Sequence, residues 1–276
     1  NETTAEGDVG TVSSFDSDGF TVSRNSAYDG TNQNAKTFVS WNWLAGGSAS
    51  LNENGTVDSQ VSANTEAGFS IATFTGGAAG YTVGHGLTKA PEIIFTFNRT
   101  DDGGAHYVFT TAVDGTIDYF SLNASTAKNN DPFSMPAFTN TVFSLDNDYG
   151  MDAGDNCVAY CFHSVEGFSK VGVYRGNGNA DGTYVHTGFR PAWVMVKSHD
   201  NSRNWTIYDN KRTPYNLMNG HLHPNASVEE QFNEDELDFL SNGFKFRTNE
   251  ADSNFNNFNY LYLCFAEQPF KYSNAR

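Results

Sequence analysis

Several groups of side chains in this sequence have types and spacings from which chemistry could be built. His221-Leu222-His223 sets two imidazoles on one side of an extended chain, a spacing that can bind a metal; the alternative is a pair of loop histidines beside Pro224. Asp146, Asn147, Asp148, Asp152, Asp155 and Asn156 form the densest oxygen cluster, with Gly150 and Gly154 between them. Calcium takes about six to eight hard oxygens on a flexible loop, and the first half of this cluster has such a spacing. Cys157 stands where an EF-hand would place its closing Glu. Asp146, Asp148, Asp152 and Asp155 are therefore weak Ca2+ candidates, with a plain hairpin loop as the alternative. Trp205, Tyr208, Asp209, Arg212 and Tyr215 combine aromatic faces with hydrogen-bonding groups, as sugar recognition requires. If Trp205 and Tyr208 are alternating strand residues, one or both belong to the core instead.

Covalent catalysis finds no support. The sequence has no G-x-S-x-G elbow, no metalloprotease His pattern among its 7 His, and no Gly-rich loop followed by Lys-Ser or Lys-Thr. Glycoside hydrolysis needs a pair of carboxylates in a cleft, but 32 Asp and Glu always contain some pair, so that feature decides nothing. The expectation is a chain with no catalytic residues and no required cofactor.

These groups must be held by strands. Of 276 residues, 23 are Phe, 13 Tyr and 26 Gly, and such aromatic side chains suit a half-buried pleated surface. Abundant Gly, Asn, Asp and Ser supply turns. A net charge of −16 argues against nucleic acid, whose binding needs a basic face. The 3 Cys are too few for a disulfide framework. Cys157 and Cys161 would lie roughly 13 Å apart along a strand, beyond bridging distance. Buried thiols are expected. No apolar run approaches the roughly 20 residues that span a bilayer, so membrane insertion is not expected. The first residue is Asn, and a processed or longer chain is expected.

The chain repeats itself. Gly68-Phe69-Ser70, then Val83-Gly84-His85-Gly86-Leu87 and Pro91-Glu92-Ile93-Ile94-Phe95, are answered by Gly167-Phe168-Ser169, Val185-His186-Thr187-Gly188-Phe189 and Pro191-Ala192-Trp193-Val194-Met195. Val158-Ala159-Tyr160-Cys161-Phe162 is answered by Leu261-Tyr262-Leu263-Cys264-Phe265. Asp18-Gly19-Phe20-Thr21-Val22 and Phe38-Val39-Ser40-Trp41-Asn42-Trp43 repeat the second half alone, as a half-unit hairpin. The predicted fold is all-β: tandem duplicated sandwich or jelly-roll-like units after a half-unit. The predicted division is 1–66 (half-unit and linker), 67–166 (first unit) and 167–276 (second unit). Residues 46–64 read as linker, with 56–61 as a short edge strand. One short helix is expected within 228–240 and a weaker one within 114–127.

The words Gly167-Phe168-Ser169-Lys170, Tyr174-Arg175-Gly176-Asn177-Gly178, Asp181-Gly182, Thr187-Gly188-Phe189-Arg190-Pro191-Ala192 and Pro269-Phe270-Lys271-Tyr272-Ser273-Asn274-Ala275-Arg276 resemble a repeated domain of unknown function in tailed, largely marine, bacteriophage proteins. So do their first-unit counterparts, and the likeness runs from Phe38 onward. The resemblance implies a virion protein on the particle exterior, a tail fibre or tailspike-like part touching a host receptor or glycan. It transfers no active-site residue. Other virion proteins are the expected partners, with a homo-oligomer, guessed as a trimer. A capsid decoration protein and a carbohydrate-active hydrolase are the competing readings.

Overall fold

The structure is a computed structural model that describes residues 12–23, 32–100, 104–132, 135–232 and 236–267. Its strands in chain order are β1 (Val12–Asp16), β2 (Gly19–Val22), β3 (Ser50–Asn52), β4 (Ser59–Asn64), β5 (Phe69–Thr75), β6 (Tyr81–Gly84), β7 (Ile93–Asn98), β8 (Tyr107–Thr110), β9 (Asp118–Ser121) and β10 (Asn129–Asn130). They continue as β11 (Val142–Leu145), β12 (Asn156–Phe162), β13 (Ser169–Arg175), β14 (Tyr184–His186), β15 (Pro191–Ser198), β16 (Trp205–Asp209), β17 (Leu237–Leu240), β18 (Gly243–Phe246) and β19 (Asn259–Ala266).

The chain is all-β: two sandwich units in tandem behind a hairpin. An eight-stranded sheet, β10-β9-β8-β7-β12-β5-β4-β3, is faced by the pair β11-β6. A four-stranded sheet, β13-β19-β15-β16, is faced by β14-β18-β17. The order β8-β7-β12-β5 thus returns as β16-β15-β19-β13, and β6 beside β11 returns as β14 beside β18. Cys161 and Cys264 sit at matching places on β12 and β19, both fully buried.

Period-two alternation divides the side chains among three cores. On β12, Cys157, Ala159 and Cys161 enter an outer core with Phe74, Val83, Phe143 and Leu145, whereas Phe162 points the other way. On β19, Tyr260, Tyr262 and Cys264 face the opposite outer core, and Leu261, Leu263 and Phe265 face inward. Trp193 and Met195 of β15 likewise part from Val194 and Val196. The inward sets meet in a third, central core, where Phe69, Ile93, Phe95 and Phe162 pack against Trp193, Met195, Leu263 and Phe265. The two large sheets are therefore buried on both faces. That burial explains why β12 and β19 read as nearly continuous apolar runs rather than alternating ones.

Polar contacts also cross between the units. Lys197 is fully buried, and its Nζ donates to the carbonyls of Ser125 (3.0 Å) and Arg203 (2.5 Å). Burial lowers its pKa to about 8, partly opposed by Asp252. Trp205 Nε1 donates to the Ser121 carbonyl at 3.0 Å, and Lys128 N to the His199 carbonyl at 3.0 Å.

Three expectations are corrected. The hairpin pairs β1 with β2, not 18–22 with 38–43; the latter segment lies outside any sheet, with Trp41 and Trp43 packed against the central core and Phe38 and Val39 exposed. Residues 50–64 are no linker: β3 and β4 extend the eight-stranded sheet, with Ser59 and Val61 buried. Nor does a helix form where expected. Among the described residues, the Asn147–Tyr149 3-10 turn is the one helical element; β9 and β17 occupy the two predicted stretches. Leu237 and Phe239 bury at period two against β18, and pairing outweighs the helix propensity of nearby Glu residues.

Candidate functional site

The central core opens on one side into an apolar cleft of about 1080 Å³. Phe97 and Tyr160 line it from the eight-stranded sheet, Trp193, Met195 and Ile207 from the four-stranded one, and Phe15 and Phe20 from the β1–β2 hairpin. A strap, residues 41–45, runs along it. Trp41, Trp43 and Ala45 turn inward while Asn42 and Leu44 face solvent, an alternation that follows from an extended backbone. Trp43 meets Phe265 at 5.5 Å, Trp193 at 5.6 Å and Phe162 at 6.5 Å between ring centroids, all edge-on. Asn64 Nδ2 donates to the Leu44 carbonyl at 3.1 Å, and Ser62 Oγ to the Gly47 carbonyl at 2.6 Å, so β4 holds the strap in place.

Trp41 links the strap to the second unit. Its Nε1 donates to Asp209 Oδ2 at 3.2 Å, and the Arg212 guanidinium lies 5.9 Å from its ring centroid. Arg212 Nε donates to the same Asp209 oxygen at 2.6 Å, and its Nη1 pairs with Glu230. Burial alone would raise the Asp209 pKa; Arg212 and the backbone amides of Lys211 and Arg212 outweigh it and hold the carboxyl below its usual range.

This arrangement alters the sugar-site expectation. Trp205 is 2% exposed and Tyr208 0%, the first in the central core and the second in an outer core. Neither offers a face to solvent. Asp209 and Arg212 are joined to Trp41 and Glu230, while Tyr215 is 81% exposed and apart from the core. The five residues therefore do not make one stacking platform. The aromatic faces at the cleft belong to Trp41, Trp43 and Phe97 instead. The half-unit reading placed Trp41 and Trp43 on a hairpin strand, but the Trp-x-Trp-x-Ala alternation was the signal for a strap.

His221 and His223 are both buried, with rings 4.8 Å apart. His223 Nδ1 contacts the Trp205 carbonyl at 2.8 Å. His221 Nδ1 lies 3.0 Å from Glu236 Oε1, near enough for an ion pair though off-line for a hydrogen bond, and Tyr208 donates to Glu236 Oε2. Burial pushes His221 down; Glu236 and Gln231 outweigh it and hold the imidazole above its ordinary value. The two histidines are thus buried rather than partly exposed, as a plain loop pair beside Pro224 would be. Among the described residues no three His, Cys, Asp or Glu side chains converge to hold an ion.

The acidic loop is likewise committed to local structure. Asp146 Oδ1 accepts from Asp148 N at 3.1 Å and Oδ2 from Gly80 N at 2.9 Å, capping the 3-10 turn. Asp155 Oδ2 accepts from Asp152 N at 2.9 Å and Asn98 Nδ2 at 2.8 Å. Asp148 and Asp152 face solvent. The carboxylates serve separate turns and do not point at a common centre.

A family described as a domain of unknown function (DUF7483) matches residues 1–269. No curated protein and no solved structure matches the chain.

Proposed function

The chain belongs to the DUF7483 family, and on that premise we propose that it is a non-catalytic virion module of a bacteriophage, part of a tail fibre or tailspike-like appendage that holds the host surface by non-covalent contacts. The observation that carries this reading is the central core. Two sandwiches fused face to face through interlocking aromatic rings form a stiff body, which suits a protein that bears contacts rather than one that moves around a substrate. The sequence resemblance to phage tail proteins supplies the setting. The cleft beside Trp41 supplies aromatic faces against which the apolar face of a glycan ring packs, and multiple copies would add avidity.

Gold-labelled antibody against the chain, imaged on intact particles, tests the setting: label on an appendage is expected, and label absent from particles overturns it. Label on the shell would move the reading to capsid decoration. Calorimetric titration of the protein with host surface polysaccharide tests the contact. Binding that Trp41→Ala weakens is expected; no binding to any host polysaccharide removes the attachment role.

A further inference from the structure

We propose that the apolar cleft between the two sandwiches binds one alkyl chain of an amphiphile whose head group carries a cation, of the phosphocholine kind. Phe69, Phe162, Met195, Ile207 and Leu263 build its floor, all of them buried and none with a side-chain nitrogen or oxygen. The strands that carry them pair on both sides, β16 through the Ile207↔Leu222 bridge, so their N–H and C=O groups are spent on neighbours. A space of about 1080 Å³ with such walls offers water few partners, and filling it with hydrocarbon is favourable. The mouth is apolar as well: Phe15 and Leu44 line it and are 88% and 82% exposed. Large apolar side chains held open to solvent around a cleft mark a contact site.

The walls decide what fills the cleft. A second peptide would bury N–H and C=O groups with nothing on the floor to meet them. The strap is a peptide, but Asn64 and Ser62 of β4 meet its Leu44 carbonyl and that of Gly47, and neither residue lines the cleft. A sugar ring can lie against Trp41 at the rim, yet on the floor its hydroxyls would go unmatched. An alkyl chain has no such groups to satisfy. The head group follows from charge. Asp18 is the one charged residue lining the cleft, in the turn that joins β1 to β2 beside the paired Phe15 and Phe20. A carboxylate next to aromatic rings favours an ammonium and repels an anionic head, as does the net charge of −16. Such binding extends the contact role proposed for the cleft but depends on its walls alone, not on a virion setting.

Trp41, Trp43 and Trp193 all line the cleft, so tryptophan emission of the full chain reports its filling. Titration with octyl-, decyl- and dodecylphosphocholine, kept below the concentrations at which micelles form, tests the proposal. Saturation at one ligand per chain is expected, with affinity rising roughly 4-fold per added methylene. Leu44→Asp and Phe97→Asp should each weaken binding at least ~10-fold, because both put a charge against the hydrocarbon. Leu44→Asp, at an exposed side chain, should keep the circular dichroism and melting curve of the native chain, which separates lost binding from lost fold. Laurate should bind more weakly than dodecylphosphocholine, and Asp18→Asn should narrow that gap. A signal that never saturates, affinity indifferent to chain length, or affinity untouched by these substitutions overturns the proposal. Laurate bound as tightly as dodecylphosphocholine overturns its head group. Polysaccharide binding without alkylphosphocholine binding would sink the alkyl site and leave the attachment role standing; the reverse pattern would keep the site and remove that role.

Discussion

At the scale of single residues, Trp193 joins the most parts. Its ring meets Trp41 at 6.4 Å, Trp43 at 5.6 Å and Phe265 at 5.7 Å, so strap, β15 and β19 share it. Trp193→Ala should cost about 3–5 kcal/mol of unfolding free energy, read from chemical denaturation. A loss no larger than that of an exposed substitution would mean that the strap does not seal the core. His85 sets one limb of the pH dependence. It is fully buried; burial, offset in part by the Thr139 carbonyl and reinforced by His163, lowers its pKa to about 4. The unfolded chain then binds the proton that the fold rejects. Stability should fall by up to about 1.4 kcal/mol per unit as the pH drops from ~6.5 toward that value, and His85→Gln should flatten the slope. His221 has the opposite sign: its raised pKa makes a contribution that is complete below the ordinary imidazole value and lost as the pH rises through the folded one.

At the scale of elements, the acidic loop between β11 and β12 works through its caps. Asp155→Ala should cost about 1–3 kcal/mol by orphaning the Asp152 amide and removing one of the Asn98 side chain's hydrogen bonds, as read from thermal melts. Calcium should leave the melting temperature of the native protein unchanged; a rise that tracks the logarithm of calcium concentration would reveal a site. The repeat was legible in the sequence because strands equivalent in space carry equivalent words, as Val158-Ala159-Tyr160-Cys161-Phe162 and Leu261-Tyr262-Leu263-Cys264-Phe265 do on β12 and β19. The place of Trp205 and Tyr208 was not. An alternating strand gives the same pattern whether its second face meets water or another sheet, and only packing decides. The β3–β4 hairpin was legible only in part, as a short edge strand over 56–61, because Ser59-Gln60-Val61-Ser62 is held by pairing to β5 rather than by large apolar side chains.

At the scale of the whole molecule, the shared central core should make the two units unfold as one. The sequence has 4 Trp, and all of them pack in or against that core. Tryptophan fluorescence therefore reports the join between units, and far-ultraviolet circular dichroism reports all strands. The two denaturation curves should coincide; a fluorescence transition that comes first would show the units parting before either unfolds. That like units recur could be read from the repeat, but their fusion could not, since no periodicity distinguishes a strand buried on both faces by its own unit from one buried by a neighbour.

The strap has a mechanical consequence. Residues 41–45 are anchored by inserted rings and side-chain tethers rather than by a strand ladder, whereas β12 is laddered on both sides along its length. Tension applied at the N-terminal end would peel the strap one ring at a time, at low force, before any load reached β12 in shear. The body would thus yield first at its seam and spare its sheets, lengthening by a few residues under a pull that leaves both sandwiches folded.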